Sequence, residues 1–289
     1  MNSPQIKSVA IIGCGRVGQR LAKLYQKQGI QTSATVSSME SYQQIQSLCH
    51  QPLQINLDEP FKSNDLGTIE QLYYFVPPPP KGKQDLRIAN FLKYLGGQIK
   101  RIVLISTTGV YGDCQGQWID EQQPLNPTAD RAHRRLDAER HVKQWAQDTK
   151  ADYIILRVAG IYSKDQLPIA RIKQGMAVVN NAESPWVNRI HADDLAMICQ
   201  SAMEQTQLTA EIINVSDGHP STMTAYFHAV ADYANLERPR EISLAEAETC
   251  LSKGMLSYLH ESRRLKNAKL MEKLAIQLKY PYLKDGLKK

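Results

Sequence analysis

Three glycines near the amino end carry the clearest chemistry in this 289-residue sequence. Gly13-Cys14-Gly15-Arg16-Val17-Gly18 reads G-x-G-x-x-G, directly after the apolar run "VAII" and before an amphipathic stretch that ends at Gly29. Strand, glycine turn and helix in that order give the pattern its physical meaning. Gly13 permits a tight turn, Gly15 lets a pyrophosphate approach the backbone, and Gly18 lets the helix pack on the strand. With Arg16 and Val17 between them, these residues open a helix whose free N–H groups and positive dipole end suit a phosphate. The expected ligand is a dinucleotide.

The end of the second strand discriminates between dinucleotides, because an Asp or Glu about 20 residues after the turn would bind the ribose 2′-hydroxyl of NAD. Here the sequence is "TVSSME": Val36 stands near that position, followed by Ser37 and Ser38. The first acid, Glu40, falls on the next helix. Arg16 is expected to reach a 2′-phosphate, so NADP(H) is favoured and NAD(H) is the alternative. Asn56, at the end of "LQIN", is assigned to the adenine.

A second constellation lies in "PTADRAHRRLDAER", residues 127–140. Arg131 and Arg135 are four apart and share one helix face. A guanidinium stays charged at any accessible pH, so neither can give up a proton. Both suit carboxylate or phosphate. His133, two residues along, falls on roughly the opposite face and reads as a surface histidine.

The elements that must position these residues follow a regular order. "IQTSATV", "LQIN", "QLYYFV", "KRIVLIS", "DYIILRV" and "EIINVS" read as strands, separated by helical stretches over "SMESYQQIQSLCH", Leu86–Leu95 and the arginine segment. Pro77–Pro80 forbid helix after "QLYYFV" and hold that loop extended. Such alternation implies an α/β fold, a Rossmann-type doubly wound parallel sheet. The dinucleotide-binding domain is expected over residues 1–165. Residues 166–289 are expected to form mostly a small α-rich substrate cap, with strand 211–216 returning to the sheet.

Several segments in this order resemble the extended short-chain dehydrogenase/reductase family, which contains nucleotide-sugar epimerases and dehydratases. "LISTTGVYGD" resembles its S-S/T-x-x-V-Y-G strand end, "ILRVAGIYS" its L-R-x-x-x-x-Y-G stretch, and "VNRIHADDLAMI" its V-x-x-I-H-x-D-D-L-A segment. The likeness spans roughly residues 7–216 and is greatest to an atypical, mostly uncharacterised bacterial branch. In that family a Ser or Thr, a Tyr, and a Lys four residues after the Tyr do the chemistry. The resemblance places Thr107 at the hydroxyl position, Arg131 at the tyrosine and Arg135 at the lysine. Arg135 is then expected to hold the nicotinamide ribose. Losing a positioned acid forfeits roughly 10²–10⁴-fold in rate, so the family's tyrosine mechanism is not available at residue 131. Tyr111, in the loop after the central strand, is the substitute donor to consider. His191 and Asp194 are expected to cap and anchor the helix that follows them.

Composition bounds the remaining classes. The five cysteines are scattered and odd in number, which argues against a disulfide framework or a zinc site and for a reducing, cytoplasmic setting. No metal is expected. The first residues lack the order of a signal peptide, and no apolar run approaches a membrane span. Between Arg263 and Lys289, nine Lys or Arg face only Glu272 and Asp285. Leu265, Leu270, Leu274 and Leu278 recur there at near-helical spacing, so an amphipathic helix with a solvated basic face is expected. Three functions follow, in order of preference. The first is an epimerase, dehydratase or reductase-like oxidoreductase acting on a small, nucleotide-linked or anionic substrate. The second is a non-catalytic NADP(H) sensor. The third is a nucleic-acid-associated scaffold, disfavoured because no aromatics cluster among the tail charges. The sequence leaves oligomeric state open, a homodimer included.

Overall fold

Seven parallel strands make one sheet in the computed structural model, which describes residues 6, 8–59, 66, 69–95 and 99–288. The strands are β1 (Ser8–Ile12), β2 (Gln31–Val36), β3 (Gln51–Gln54), β4 (Gln71–Tyr74), β5 (Arg101–Thr107), β6 (Asp152–Val158) and β7 (Ala210–Val215). Their spatial order is β7-β6-β5-β4-β1-β2-β3. The order reverses between β1 and β4, and the crevice beyond the carboxyl ends there is where such sheets bind ligands. The α/β, doubly wound architecture expected from the alternation of elements is therefore the architecture observed.

Both sheet faces are covered, which is why the strands read as nearly continuous apolar runs. Helices α1 (Arg16–Lys27) and α5 (Ala192–Glu204) lie against one face, through Leu21, Ala22, Leu195 and Ile198. Helices α3 (Leu86–Tyr94) and α4 (Asp130–Thr149) cover the other, through Ile88, Phe91, Val142 and Trp145. Asp85 caps α3 by accepting from the Ile88 N–H at 3.3 Å, and the short helix α2 (Met39–Ile45) is capped by Ser38. Residues beyond 165 thus supply one sheet strand and a covering helix as well as the segments at the carboxyl ends.

The basic tail differs from the single amphipathic helix its leucine spacing suggests. Arg264–Leu265 pairs in parallel with Trp118–Ile119, and only Ala268–Leu274 is helical before the chain turns at Ala275 in the left-handed region. Leu270, Leu274 and Leu278 enter the same core as α1 and α5. Asp194 accepts from the N–H groups of Lys279 and Tyr280 at 2.8 and 2.9 Å, which fixes the tail to the start of α5. Burial of the leucines and these backbone bonds outweigh helix propagation.

One row of the sheet is polar. Ser106, Arg157 and Asn214 stand side by side in register on β5, β6 and β7. Glu139 of α4 meets them: Arg157 Nε and Nη2 donate to its two oxygens at 3.1 and 2.8 Å, and Ser106 Oγ donates at 2.6 Å. The Arg157 and Glu139 side chains are 2% and 0% exposed, so removing one partner strands a buried charge. That loss typically costs about 3–5 kcal/mol. Glu139→Gln should therefore lower unfolding stability by about this amount in urea titration. The double change Glu139→Leu with Arg157→Met should cost clearly less than the sum of the single changes, and full additivity would show that the pair is not coupled.

Candidate functional site

Two cavities open at the carboxyl ends of the strands. The smaller, about 360 Å³, runs from the glycine turn past the ends of β1, β2 and β4; the larger, about 480 Å³, lies beyond β5 and β6.

The glycine turn is built as its residue types require. Gly13 has φ +84°, a conformation costly for other residues, and a Cβ there would sit 2.8 Å from Val76. Its N–H donates to Thr35 Oγ1 at 3.1 Å and the Cys14 N–H to the Thr35 carbonyl at 2.7 Å, which ties the turn to β2. A Cβ at Gly18 would press on Ile11 and Cys14 at 3.1–3.2 Å, so α1 can seat on β1 only with glycine there. Val17 packs on the core beside it. Gly15 is different: nothing stands within 4 Å of where its Cβ would be, and it lines the cavity. No side chain caps α1, so its first N–H groups are left for an anion.

Around the smaller cavity, Ser37 and Asn56 line the wall, and Ser41 joins them. Ser38 instead caps α2, accepting from the Ser41 N–H at 3.2 Å. Asn56 is partly engaged locally, accepting from the Asp58 N–H at 3.1 Å and donating to Glu59. Arg16 does not line the cavity. With the Gln166 amide oriented to satisfy both groups, the Arg16 guanidinium donates to it. The expected reach of Arg16 toward the end of β2 therefore meets a competing partner on the other side of α1. Sequence reasoning passed over the cation that does line this wall. Arg87, in the first turn of α3, forms a two-pronged pair with Asp58 at 2.6 and 2.7 Å and donates to the Pro77 carbonyl. The guanidinium holds the Asp58 carboxyl below its ordinary range. No local pattern announces this pair, because its members are 29 residues apart.

Helix α4 delivers Arg131, Arg135 and Glu139 along one stripe, each four residues from the next. Arg135 Nη1 donates to the Val76 carbonyl at 3.1 Å, which places it behind the wall of the smaller cavity, at the residue Gly13 packs against. Burial pulls its pKa down and Asp85 opposes that, yet a guanidinium stays charged. Arg131 lines the larger cavity but is already engaged. Its Nη1 donates to Ser257 Oγ at 2.6 Å and its Nη2 to Glu261 Oε1 at 3.2 Å, and the guanidinium lies 3.9 Å above the Tyr258 ring. It latches the segment 257–261 over the cavity.

Thr107 also lines the larger cavity. Its Oγ1 accepts from the Gly109 N–H at 3.2 Å, leaving its own proton free for a bound oxygen. Tyr111 does not fit the substitute-donor role. It is 1% exposed and lines neither cavity. Its hydroxyl donates to Asn214 at 2.8 Å and accepts from Arg157 at 3.0 Å, and burial raises its pKa. The apolar loop around it, Val110 to Ile119, draws the ring inward. His191 caps α5 by accepting from the Asp193 N–H, in keeping with a structural role. Arg171, Trp186, Tyr258 and Arg263 come from segments with no motif, and Arg189 comes from "VNRIHADDLAMI", at a position to which sequence reasoning gave no role.

Residues 84–216 match the model of the NAD dependent epimerase/dehydratase family. Protein YeeZ of Escherichia coli (strain K12) is 25% identical over 247 residues, covering 81% of this chain and 86% of that protein. A functionally unknown conserved protein from Silicibacter pomeroyi DSS has a structure similar over 97% of this chain and 96% of that one, with a TM-score of 0.83 and 26% identity. UDP-glucuronic acid 4-epimerase from Bacillus cereus, solved in complex with NAD, is similar over the same shares with a TM-score of 0.78 and 16% identity, a likeness of fold. The ordered motifs, the family match over residues 84–216 and the seven-stranded sheet agree on a likeness to the NAD dependent epimerase/dehydratase family.

Proposed function

We propose that the chain binds a nicotinamide dinucleotide in the smaller cavity and acts, as an epimerase, dehydratase or reductase-like oxidoreductase, on a small anionic substrate in the larger one. The observation that carries this reading is the uncapped start of α1 behind Gly13 and Gly15, opening on a cavity at the point where strand order reverses. The residues fit the group: Gly15 leaves room for a pyrophosphate, and Ser37 and Asn56 line the way to the adenosine end. Arg135 stands behind Val76, toward α4. When bound, the cofactor supplies a hydride or accepts one. The chain's own part is to hold and orient. Thr107 donates its free hydroxyl proton in a hydrogen bond to the substrate oxygen, and Arg131 closes segment 257–261 over the cavity to limit water. NADP(H) is favoured because no carboxylate stands at the end of β2 to repel a 2′-phosphate. The lining of Ser37 and Ser41, more than Arg16, supports that preference.

One observation favours a second reading, a non-catalytic sensor of the NADP(H) pool. The residue at the family's tyrosine position is an arginine already consumed by Ser257 and Glu261. Turnover separates the two. Single-turnover NADPH oxidation by the wild type, with carbonyl compounds carrying a carboxylate or phosphate, is the outcome expected of an enzyme. Silence in the wild type with every such carbonyl compound is the outcome expected of a sensor, and oxidation appearing only in the double change Arg131→Tyr and Arg135→Lys would show a competent pocket that lacks its acid.

Binding tests come first. NADPH should raise the melting temperature, and Gly15→Asp should abolish that rise without unfolding the chain, since a Cβ there meets no protein atom within 4 Å. No response to any dinucleotide would overturn the assignment. Ser37→Asp should reverse preference toward NADH by placing a carboxylate against the 2′-phosphate. The lost favourable contact alone is worth about 1.5–3 kcal/mol, on the order of tenfold to a hundredfold in affinity. Arg16→Ala should change the NADPH to NADH ratio only slightly.

A further inference from the structure

Four arginines line the larger cavity, and they are not equivalent. Arg131 and Arg263 share one carboxylate, the buried Glu261, at 3.2 and 3.0 Å. Arg171 touches Met255 Sδ at 2.9 Å and lies 6.0 Å from the Phe227 ring. Arg189 has neither an ion-pair partner nor a side-chain hydrogen bond among the described residues. Its Nε is buried without a partner, and its guanidinium lies 3.9 Å above the Tyr226 ring. Four cations against one carboxylate leave the lining with an excess of three positive charges.

The fold makes room for Arg189. A Cβ at Gly160 would collide with Arg189 Nη1, so glycine at the end of β6 is what lets the guanidinium lie there. Asp217, whose N–H donates to the Arg189 carbonyl, acts on the guanidinium only beyond ion-pair distance. The Nε end of Arg189 is buried, which pulls its pKa down, while the residue as a whole is half-buried and lines the cavity. A cation held without a counter-ion is a local cost, and such costs concentrate at functional sites.

We propose that Arg189, assisted by Arg171, forms an oxyanion-binding subsite in the larger cavity that takes a phosphate or carboxylate of the substrate. The proposal rests on the larger cavity being the substrate cavity. It shifts anion recognition away from Arg131, whose guanidinium donors are already engaged by Ser257 and Glu261. Guanidinium geometry suits either oxyanion, through paired N–H donors.

Isothermal titration with inorganic pyrophosphate and with malonate tests the subsite. The proteins compared are the wild type, Gly15→Asp, Arg189→Gln and Gly160→Ala. At least one anion should bind equally to the wild type and to Gly15→Asp, which removes the phosphate site at the glycine turn. Binding should weaken tenfold or more in Arg189→Gln. Gly160→Ala keeps every charge but displaces the guanidinium, and it should weaken binding as well. Tighter binding of pyrophosphate would identify a phosphorylated substrate, and of malonate a carboxylated one. Because Arg189→Gln removes an unpaired charge, its melting temperature should hold or rise. No binding of either anion, equal binding by Arg189→Gln, or loss of binding in Gly15→Asp alone would each overturn the subsite. NADPH stabilisation should be unchanged in Arg189→Gln. Failure of the dinucleotide reading would instead appear as loss of that stabilisation in the wild type.

Discussion

The buried pair of Glu139 and Arg157 is the constraint on which the rest of the structure hangs. Two charges out of water need each other and need their remaining hydrogen-bonding atoms satisfied. Ser106, Tyr111 and Asn214 do this, so strands β5, β6 and β7, helix α4 and the loop after β5 meet at one point. The Asn214 N–H in turn donates to Glu121 at 2.7 Å, which draws in the next loop. Helix α4 cannot slide or rotate without stranding a charge. Its rotation decides where Arg135 and Arg131 stand, one and two helical steps nearer the carboxyl ends of the strands.

That anchoring explains why Tyr111 is not free for chemistry. Its hydroxyl is one of the atoms that satisfies Arg157, so it serves the core. It also explains the division of labour along α4. Glu139 belongs to the interior, Arg135 backs the smaller cavity through Val76, and Arg131 holds the segment that covers the larger cavity. Along this face α4 carries fixed charge at all three positions, Arg131, Arg135 and Glu139.

The distribution of counter-charges then separates structural arginines from a recognising one. Arg157, Arg87, Arg131 and Arg263 each have a carboxylate within 3.2 Å. Arg189 has an aromatic face and a glycine, which shape its position without cancelling its charge. Identical side chains thus differ in role through what surrounds them.

Much of this was legible in the amino-acid order. Gly13 and Gly18 are demanded by a positive φ and by a helix seated on a strand, both local requirements, and apolar runs alternating with helical stretches implied the parallel sheet. Motifs such as "LISTTGVYGD" and "ILRVAGIYS" marked the ends of β5 and β6. Partnership was not legible. Arg131 meets Ser257 and Glu261 across 126 and 130 residues, and Tyr111 meets Asn214 across 103. Whether a charge is spent or available depends on such distant neighbours, and no periodicity encodes them. The same holds for Arg16, turned toward Gln166, and for the tail, whose leucine spacing suggested one helix until the core claimed Leu270, Leu274 and Leu278. Local sequence determined which elements form and where a phosphate can approach the backbone. Only the tertiary structure decided which polar groups remain unsatisfied, because satisfaction is a property of the whole packed set.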